Sequence, residues 1–306
     1  MSPQNVHFDS QGLQLAGHLY IPSNPESKKN TAIVISHPAG GVKEQTVSIY
    51  ADLLTKLGFI TLTFDAAYNG ESEGSPHHLE DPYHRVEDII NAVSYVSTLP
   101  QVDATRIGVL GICASGGYAV SAAKMDARIR AVATVSAVDT GSMFRDGFQH
   151  TLSVDELKKG LAEASQDRTN EALGKPARLI QAIATAEVAA TLPDRTLAKE
   201  GYDYYGTPRG QHPRAPCVIV ARSLDKLIGF HAFDQADLIS PRPILCIAGS
   251  DADTLYYSEE AIEKAAEPKE LFIIKGSTHV DLYDKLEYIN PAIEKLDSYF
   301  TEKLDA

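Results

Sequence analysis

Cysteine is scarce in this chain: three residues in 306, and the three (Cys113, Cys217 and Cys246) lie far apart. An odd, sparse set argues against a disulfide framework or a clustered zinc site and suits a reducing compartment. Dense runs of Lys and Arg are also missing. The 28 basic residues stand against 41 acidic ones, a formal net charge of -13 that repels nucleic acid and anionic membrane, and reads otherwise as plain solubility. No stretch reaches the roughly 18 uninterrupted apolar residues of a membrane span. Residues 1–12 are polar, without the basic segment and apolar run of a secretory signal. The expectation is a soluble cytoplasmic protein with no nucleic-acid or membrane partner. The oligomeric state is left open, a homodimer being one option. Internal repeats and low-complexity segments are absent as well.

What is present is an alternation of apolar runs and helical stripes. Residues 6–9 and 13–21, split by Gln11-Gly12, read as an antiparallel pair. Residues 31–36 (TAIVIS), 59–64 (FITLTF) and 107–112 read as strands buried on both faces, and 129–138 as a further strand. Tyr50, Leu53, Leu54 and Leu57 recur at helical spacing up to Gly58. Val86, Ile89, Ile90 and Val93 do the same behind Asp81-Pro82, a cap and first turn. A short helix is expected at 117–125. Buried strands alternating with amphipathic helices mean βαβ units and a mostly parallel central sheet flanked by helices.

The alternation lapses between residues 140 and 238, where 153–161 and 170–191 are helical in pattern and 202–216 is irregular. It resumes with strands at 243–248 and 271–274 and a closing helix at 291–300. The division expected is an α/β core, 1–139 and 239–306, with a mostly helical cap insertion, 140–238. Such an insert roofs the carboxyl edge of the sheet, where open α/β sheets bind ligands. Phe144, Phe230 and Phe233 are candidates for its apolar lining.

The stretch RIGVLGICASGGY (106–118) runs from a buried strand through a glycine-rich turn into a helix. A nucleophile elbow needs this geometry: the nucleophile sits on a strained turn, and small residues on either side let strand and helix approach. Two registers fit. Cys113 is flanked by Gly111 and Ser115, and Ser115 by Cys113 and Gly117. Cys113 is preferred, because Gly111 closes the apolar run two residues before it and Tyr118 crowds the helix start in the other register. At a helix N-terminus and within reach of a histidine, its thiol is expected at a pKa of about 5–7.

A base must serve the nucleophile and an acid must orient the base. His279 lies on a loop just past the last strand, a placement that none of the other nine histidines shares. The loop after the 243–248 strand offers Asp251 and Asp253. Asp253 is preferred for its reach, with Asp251 as the alternative. Two aspartates with no third ligand nearby in sequence do not make a metal site, and no cofactor is expected. For the oxyanion, the small-residue loop His37-Pro38-Ala39-Gly40-Gly41 supplies the Ala39 amide, and the residue after the nucleophile supplies Ala114. His37 reads as a structural hydrogen-bonding residue.

Together, residues 37–45 (HPAGGVKEQ), 65–72 (DAAYNGES), 111–118, 249–254 and 276–281 resemble the dienelactone-hydrolase-like branch of the α/β-hydrolases. Within it they are most similar to the group of bacterial YcjY-type proteins and fungal polyketide transferases and thiohydrolases. The resemblance covers nearly the whole chain, including YYGTPRGQHP (204–213) in the insert. It implies the α/β-hydrolase fold, the chain order nucleophile, acid, histidine, and a cysteine nucleophile in G-x-C-x-G-G. Ser115 stands where that pattern has glycine, which keeps the serine register open. The family's acidic residue after the third strand is replaced by His37-Pro38, with Glu44 and Glu71 as stand-ins or loop braces.

The function expected is a cofactor-free hydrolase of a small-molecule ester, lactone or thioester, acting through an acyl-enzyme on Cys113, with His279 and Asp253 managing protons. Rival readings are acyl transfer by the same residues, a serine esterase using Ser115, and a binding module without turnover.

Overall fold

The computed structural model describes residues 2–305. Eight strands form one sheet: β1 (Gln4–Ser10), β2 (Leu13–Tyr20), β3 (Ala32–Ser36), β4 (Ile60–Phe64), β5 (Ile107–Ile112), β6 (Ile129–Val135), β9 (Ile244–Gly249) and β10 (Lys269–Ile274). Their order is β1-β2-β4-β3-β5-β6-β9-β10. Strand β2 runs antiparallel to both β1 and β4, and every later pairing is parallel. The two strands that carry alternating sequence form the edge. Those that read as continuous apolar runs (β3, β4, β5, β9) are buried along their whole length, as a sheet covered on both faces requires.

Helices α1 (Thr46–Lys56) and α11 (Leu286–Lys303) pack on one face, and α2 (Pro82–Ser97), α3 (Ala114–Met125) and α9 (Leu255–Lys264) on the other, each with its own apolar core. α1 stops where Gly58 turns to φ +108°. The Asp81 side chain caps α2 by accepting from the Tyr83 and His84 amides. α3 begins three residues earlier than the stripe at 117–125 indicates, directly after Cys113. α11 begins before Pro291 because its buried stripe starts at Ile289, and that burial outweighs one missing amide hydrogen bond.

Between β6 and β9, neighbours in the sheet, run α4 (Thr140–Arg145), α5 (Val154–Ala172), α6 (Ala186–Ala189), α7 (Leu197–Tyr205) and α8 (Leu224–Leu227). α5 starts on a capping box, Ser153 with Glu156. The helix expected over 170–191 does not form. Gly174 adopts φ +82° and Pro176 follows, so α5 ends and the chain crosses into a two-stranded antiparallel ribbon, β7 (Leu179–Gln181) with β8 (Val218–Val220). The segment lies over the carboxyl ends of the strands: residues from α4, β7, α7 and β8 wall a cavity whose opposite wall holds Cys113. No helix among the described residues is long and apolar enough to cross a membrane.

Candidate active site

The strained residue of the elbow is Cys113, at φ 58°, ψ -121°. This conformation is costly for a residue with a Cβ and persists only where the surroundings enforce it. They do so sterically. A Cβ on Gly111 would lie 1.9 Å from the Ser115 carbonyl oxygen, and one on Gly116 would lie 2.7 Å from Ala137. Strand β5 and helix α3 therefore meet at van der Waals limits, and the residue between them is raised above the sheet. The Cys113 side chain is partly exposed to a cavity of about 750 Å³, with Ala39 and Ala114 beside it.

Ser115 is placed differently. It lies fully buried in the first turn of α3, where its hydroxyl donates to the His37 carbonyl at 2.5 Å and meets Ser36 Oγ at 2.9 Å. The buried Arg85 guanidinium donates to the same hydroxyl at 2.8 Å and to the His37 carbonyl at 2.5 Å. Ser115 thus pins the 37–41 loop rather than facing the cavity. His37 itself is held in one neutral tautomer: Nδ1 donates to the Pro38 carbonyl at 2.7 Å and Nε2 accepts from the Ala66 amide at 3.0 Å. Burial and the nearby Arg85 charge hold its pKa well below the usual imidazole value.

The Ala39 amide of the loop so fixed and the Ala114 amide both hydrogen-bond to Cys113 Sγ. Both hydrogen bonds favour a thiolate, as does the positive charge of Arg85. Desolvation is the larger effect, however, and the Cys113 thiol is pushed up, not down. The thiol expected near 5–7 is therefore neutral at rest: the helix N-terminus does not compensate for the apolar walls.

His279 is fully buried on the turn after β10. Gly249 lets that turn approach, since a Cβ there would be 2.1 Å from the Ser277 carbonyl oxygen. The next element, α10 (Asp281–Asp284), brings Tyr283 one helical turn beyond the histidine. Its hydroxyl lies 3.0 Å from His279 Nε2 and is hydrogen-bonded to Cys113. Tyr283 lines the cavity; His279 stands behind it. The turn is anchored by Thr46 Oγ1 donating to the Tyr283 carbonyl at 2.9 Å and Tyr50 donating to the Leu282 carbonyl at 2.7 Å.

The expected Asp253–His279 pair is not formed, nor is an Asp251–His279 pair. The other imidazole nitrogen, Nδ1, meets Thr254 Oγ1 at 2.6 Å. With no anion beside it, burial lowers the His279 pKa to about 3. Asp253 instead accepts the Leu197 amide at 2.9 Å, and Asp251 pairs with Arg195 at 2.9 Å. Both aspartates tie the loop after β9 to the insert, and the reach assigned to Asp253 takes it away from the histidine and into the cavity wall.

Glu44 and Glu71 act as braces. Both pair with the buried Lys43 ammonium, at 2.9 and 2.5 Å, and with Arg214, and Lys43 also holds Asp65 at 2.8 Å. Of the three phenylalanines expected in the roof, only Phe144 lines the cavity; Phe230 and Phe233 are core residues. Four residues of the site have no counterpart in the sequence reading: Thr254, Tyr283, Arg85 and Glu80. Arg85 had a signal, since it falls beside Val86 on the apolar stripe of α2. Glu80 accepts from Tyr118 at 2.8 Å and stands 3.7 Å from Arg85, which makes that buried charge tolerable. No cluster of three metal-ligating side chains occurs among the described residues.

A parallel eight-stranded sheet with one antiparallel second strand, an elbow after β5 and a histidine after the last strand defines an α/β-hydrolase fold, here with a cysteine on the elbow. The comparisons narrow this further. The dienelactone hydrolase family matches residues 15–138. The chain is 39% identical over 295 residues to the uncharacterized protein YcjY of Escherichia coli K12, covering 95% of each. The crystal structure of the hypothetical protein PA2218 from Pseudomonas aeruginosa superposes with a TM-score of 0.92 at 35% identity, covering 98% of this chain and 93% of that one. A thiohydrolase from Eupenicillium brefeldianum is 27% identical over 302 residues, 97% of this chain and 93% of that protein. The chain belongs to the dienelactone-hydrolase-like branch of the α/β-hydrolases, together with YcjY.

Proposed function

We propose that the protein hydrolyses a small-molecule ester, lactone or thioester through an acyl-enzyme on Cys113. The observation that carries this reading is the convergence of the Ala39 and Ala114 amides on the elbow sulfur at the floor of an apolar cavity. Two backbone donors that hold the sulfur at rest can take up the carbonyl oxygen once the sulfur has attacked. His279 serves as the base, and Ser115 keeps a supporting part. Walls built from Ile180, Ile183, Leu197, Val218, Ile219 and Phe144 suit an apolar acyl chain. Among acyl groups a thiol nucleophile favours the activated ones, and similarity to a thiohydrolase supports a thioester in particular.

The test is a set of p-nitrophenyl esters and N-acetylcysteamine thioesters of increasing chain length, followed by intact-protein mass spectrometry. The expected result is enzyme-dependent release and a mass increase, by the acyl group, located at Cys113. Cys113→Ala should abolish both, and Ser115→Ala should keep the Cys113 adduct. An adduct on Ser115, or release by the Cys113→Ala protein, would overturn the assignment. A second reading, transfer of the acyl group to an alcohol or amine, is favoured by the apolar walls. Product partitioning with added acceptors separates it from hydrolysis.

A further inference from the structure

We infer that Tyr283 is a catalytic residue that relays the proton between Cys113 and His279, so that the site works as a chain of Cys113, Tyr283, His279 and Thr254 with no carboxylate on the imidazole. The inference deepens the acyl-enzyme reading and rests on it.

Three geometric facts carry it. First, the Tyr283 hydroxyl bonds both to Cys113 and, at 3.0 Å, to His279 Nε2. Second, both side chains are buried, but Tyr283 lines the cavity and His279 does not. A proton leaving Cys113 or the substrate therefore meets the tyrosine oxygen before the imidazole. Third, the orienting group at Nδ1 is the Thr254 hydroxyl, at 2.6 Å. A neutral hydroxyl holds the ring in place but offers no counter-charge to an imidazolium.

One of the two directions open to these hydrogen bonds serves the relay. Nδ1–H donates to Thr254, Nε2 accepts from the Tyr283 O–H, and the Tyr283 oxygen accepts from the Cys113 S–H. Burial holds the thiol and the phenol above their usual pKa values and the imidazole below its own, so the resting chain is uncharged. The tyrosine passes a proton without becoming a tyrosinate, since it gains one as it gives one up. In acylation the Sγ lone pair forms the S–C bond and the C=O π pair moves onto oxygen, held by the Ala39 and Ala114 amides. The S–H proton goes to the Tyr283 oxygen as the Tyr283 proton goes to Nε2. The oxyanion then re-forms the carbonyl, the bond to the leaving group breaks, and the leaving thiol or alcohol takes its proton back along the same chain. Water repeats the sequence in deacylation and restores the S–H.

The test measures the pre-steady-state acylation rate of wild type and Tyr283→Phe with a p-nitrophenyl ester, in mixtures of light and heavy water. Wild type should show a curved dependence on deuterium fraction, from two protons in flight. In Tyr283→Phe, acylation should slow by about 10²-fold with KM within about threefold, and the dependence should become linear. A tyrosine that only packs the wall would leave the proton count unchanged. Acylation within about threefold of wild type in the variant, or a linear dependence in wild type, would overturn the relay and leave the acyl-enzyme intact. The wild-type measurement stands even if the variant does not fold. Absence of any Cys113 adduct in wild type would remove both readings.

Discussion

The two loops at the cavity, the elbow after β5 and the loop after β9, are equally rich in sequence signals and are held in place by different means. The elbow obeys steric rules, within a few residues at Gly111 and toward the next strand at Gly116. Gly111 and Gly116 are where they are because α3 and the 134–137 segment leave no room for another atom. The loop after β9 carries two aspartates within three residues of each other, and their partners come from residues 195–197, more than fifty positions away. Steric exclusion is a local property. The choice of a hydrogen-bond partner depends on which groups the rest of the chain delivers. Both loops end at the same cavity, but the first is set by exclusion and the second by partners.

The comparison breaks most severely at Gly111. Gly111→Val should cost about 3 kcal/mol or more of stability, because the clash is with backbone that cannot move aside. Urea denaturation is the measurement, and a loss under 1 kcal/mol would show that the elbow is not sterically determined.

The next effect separates His279 from an acid-paired histidine. Its pKa is about 3 in the fold and near 6.5 when unfolded, so below pH 6.5 the unfolded chain binds a proton that the folded one does not. Stability should therefore be unaffected by this group above pH 6.5. It should fall by about 1.4 kcal/mol per pH unit for this imidazole as the pH drops toward about 3. Asp88, raised to about 6 by burial, acts in the opposite direction over part of that window, so the readout is a difference. The slope between pH 6.5 and 4.5 should be shallower in His279→Gln than in wild type by that amount. An unchanged slope would mean that His279 is charged in the fold.

Thr254→Val leaves the buried Nδ1 without its partner. kcat/KM should fall by about 10- to 100-fold, as expected for an unsatisfied buried nitrogen and a freed ring, and Thr254→Ser should recover most of it. Activity within about threefold of wild type in the valine variant would show that the threonine does not orient the ring.

The smallest effect is expected at the residue that sequence reasoning favoured. Asp253→Ala should lower kcat/KM less than about threefold and stability by about 1 kcal/mol, through the lost anchor at the start of α7. A fall of several orders of magnitude would restore the aspartate to the histidine and undo the contrast between the two loops.

The sequence by itself determined the parallel sheet, the elbow with its cysteine, the small-residue loop after β3 and the histidine past the last strand. Each depends on periodicity or on a short-range steric rule: continuous apolar runs make doubly covered strands, and small residues make a tight strand-to-helix turn. Tertiary structure alone decided what those groups touch. Ser115 became a pin for the 37–41 loop because α2 brings Arg85 beneath it. Tyr283 came between Cys113 and His279 because α1 holds α10 against the cavity through Thr46 and Tyr50. The two aspartates went to the insert, and Thr254 remained for the imidazole. A hydroxyl and a carboxylate are both acceptors, so composition cannot rank them. Distance does, and the packing of elements remote in sequence sets that distance to within an ångström.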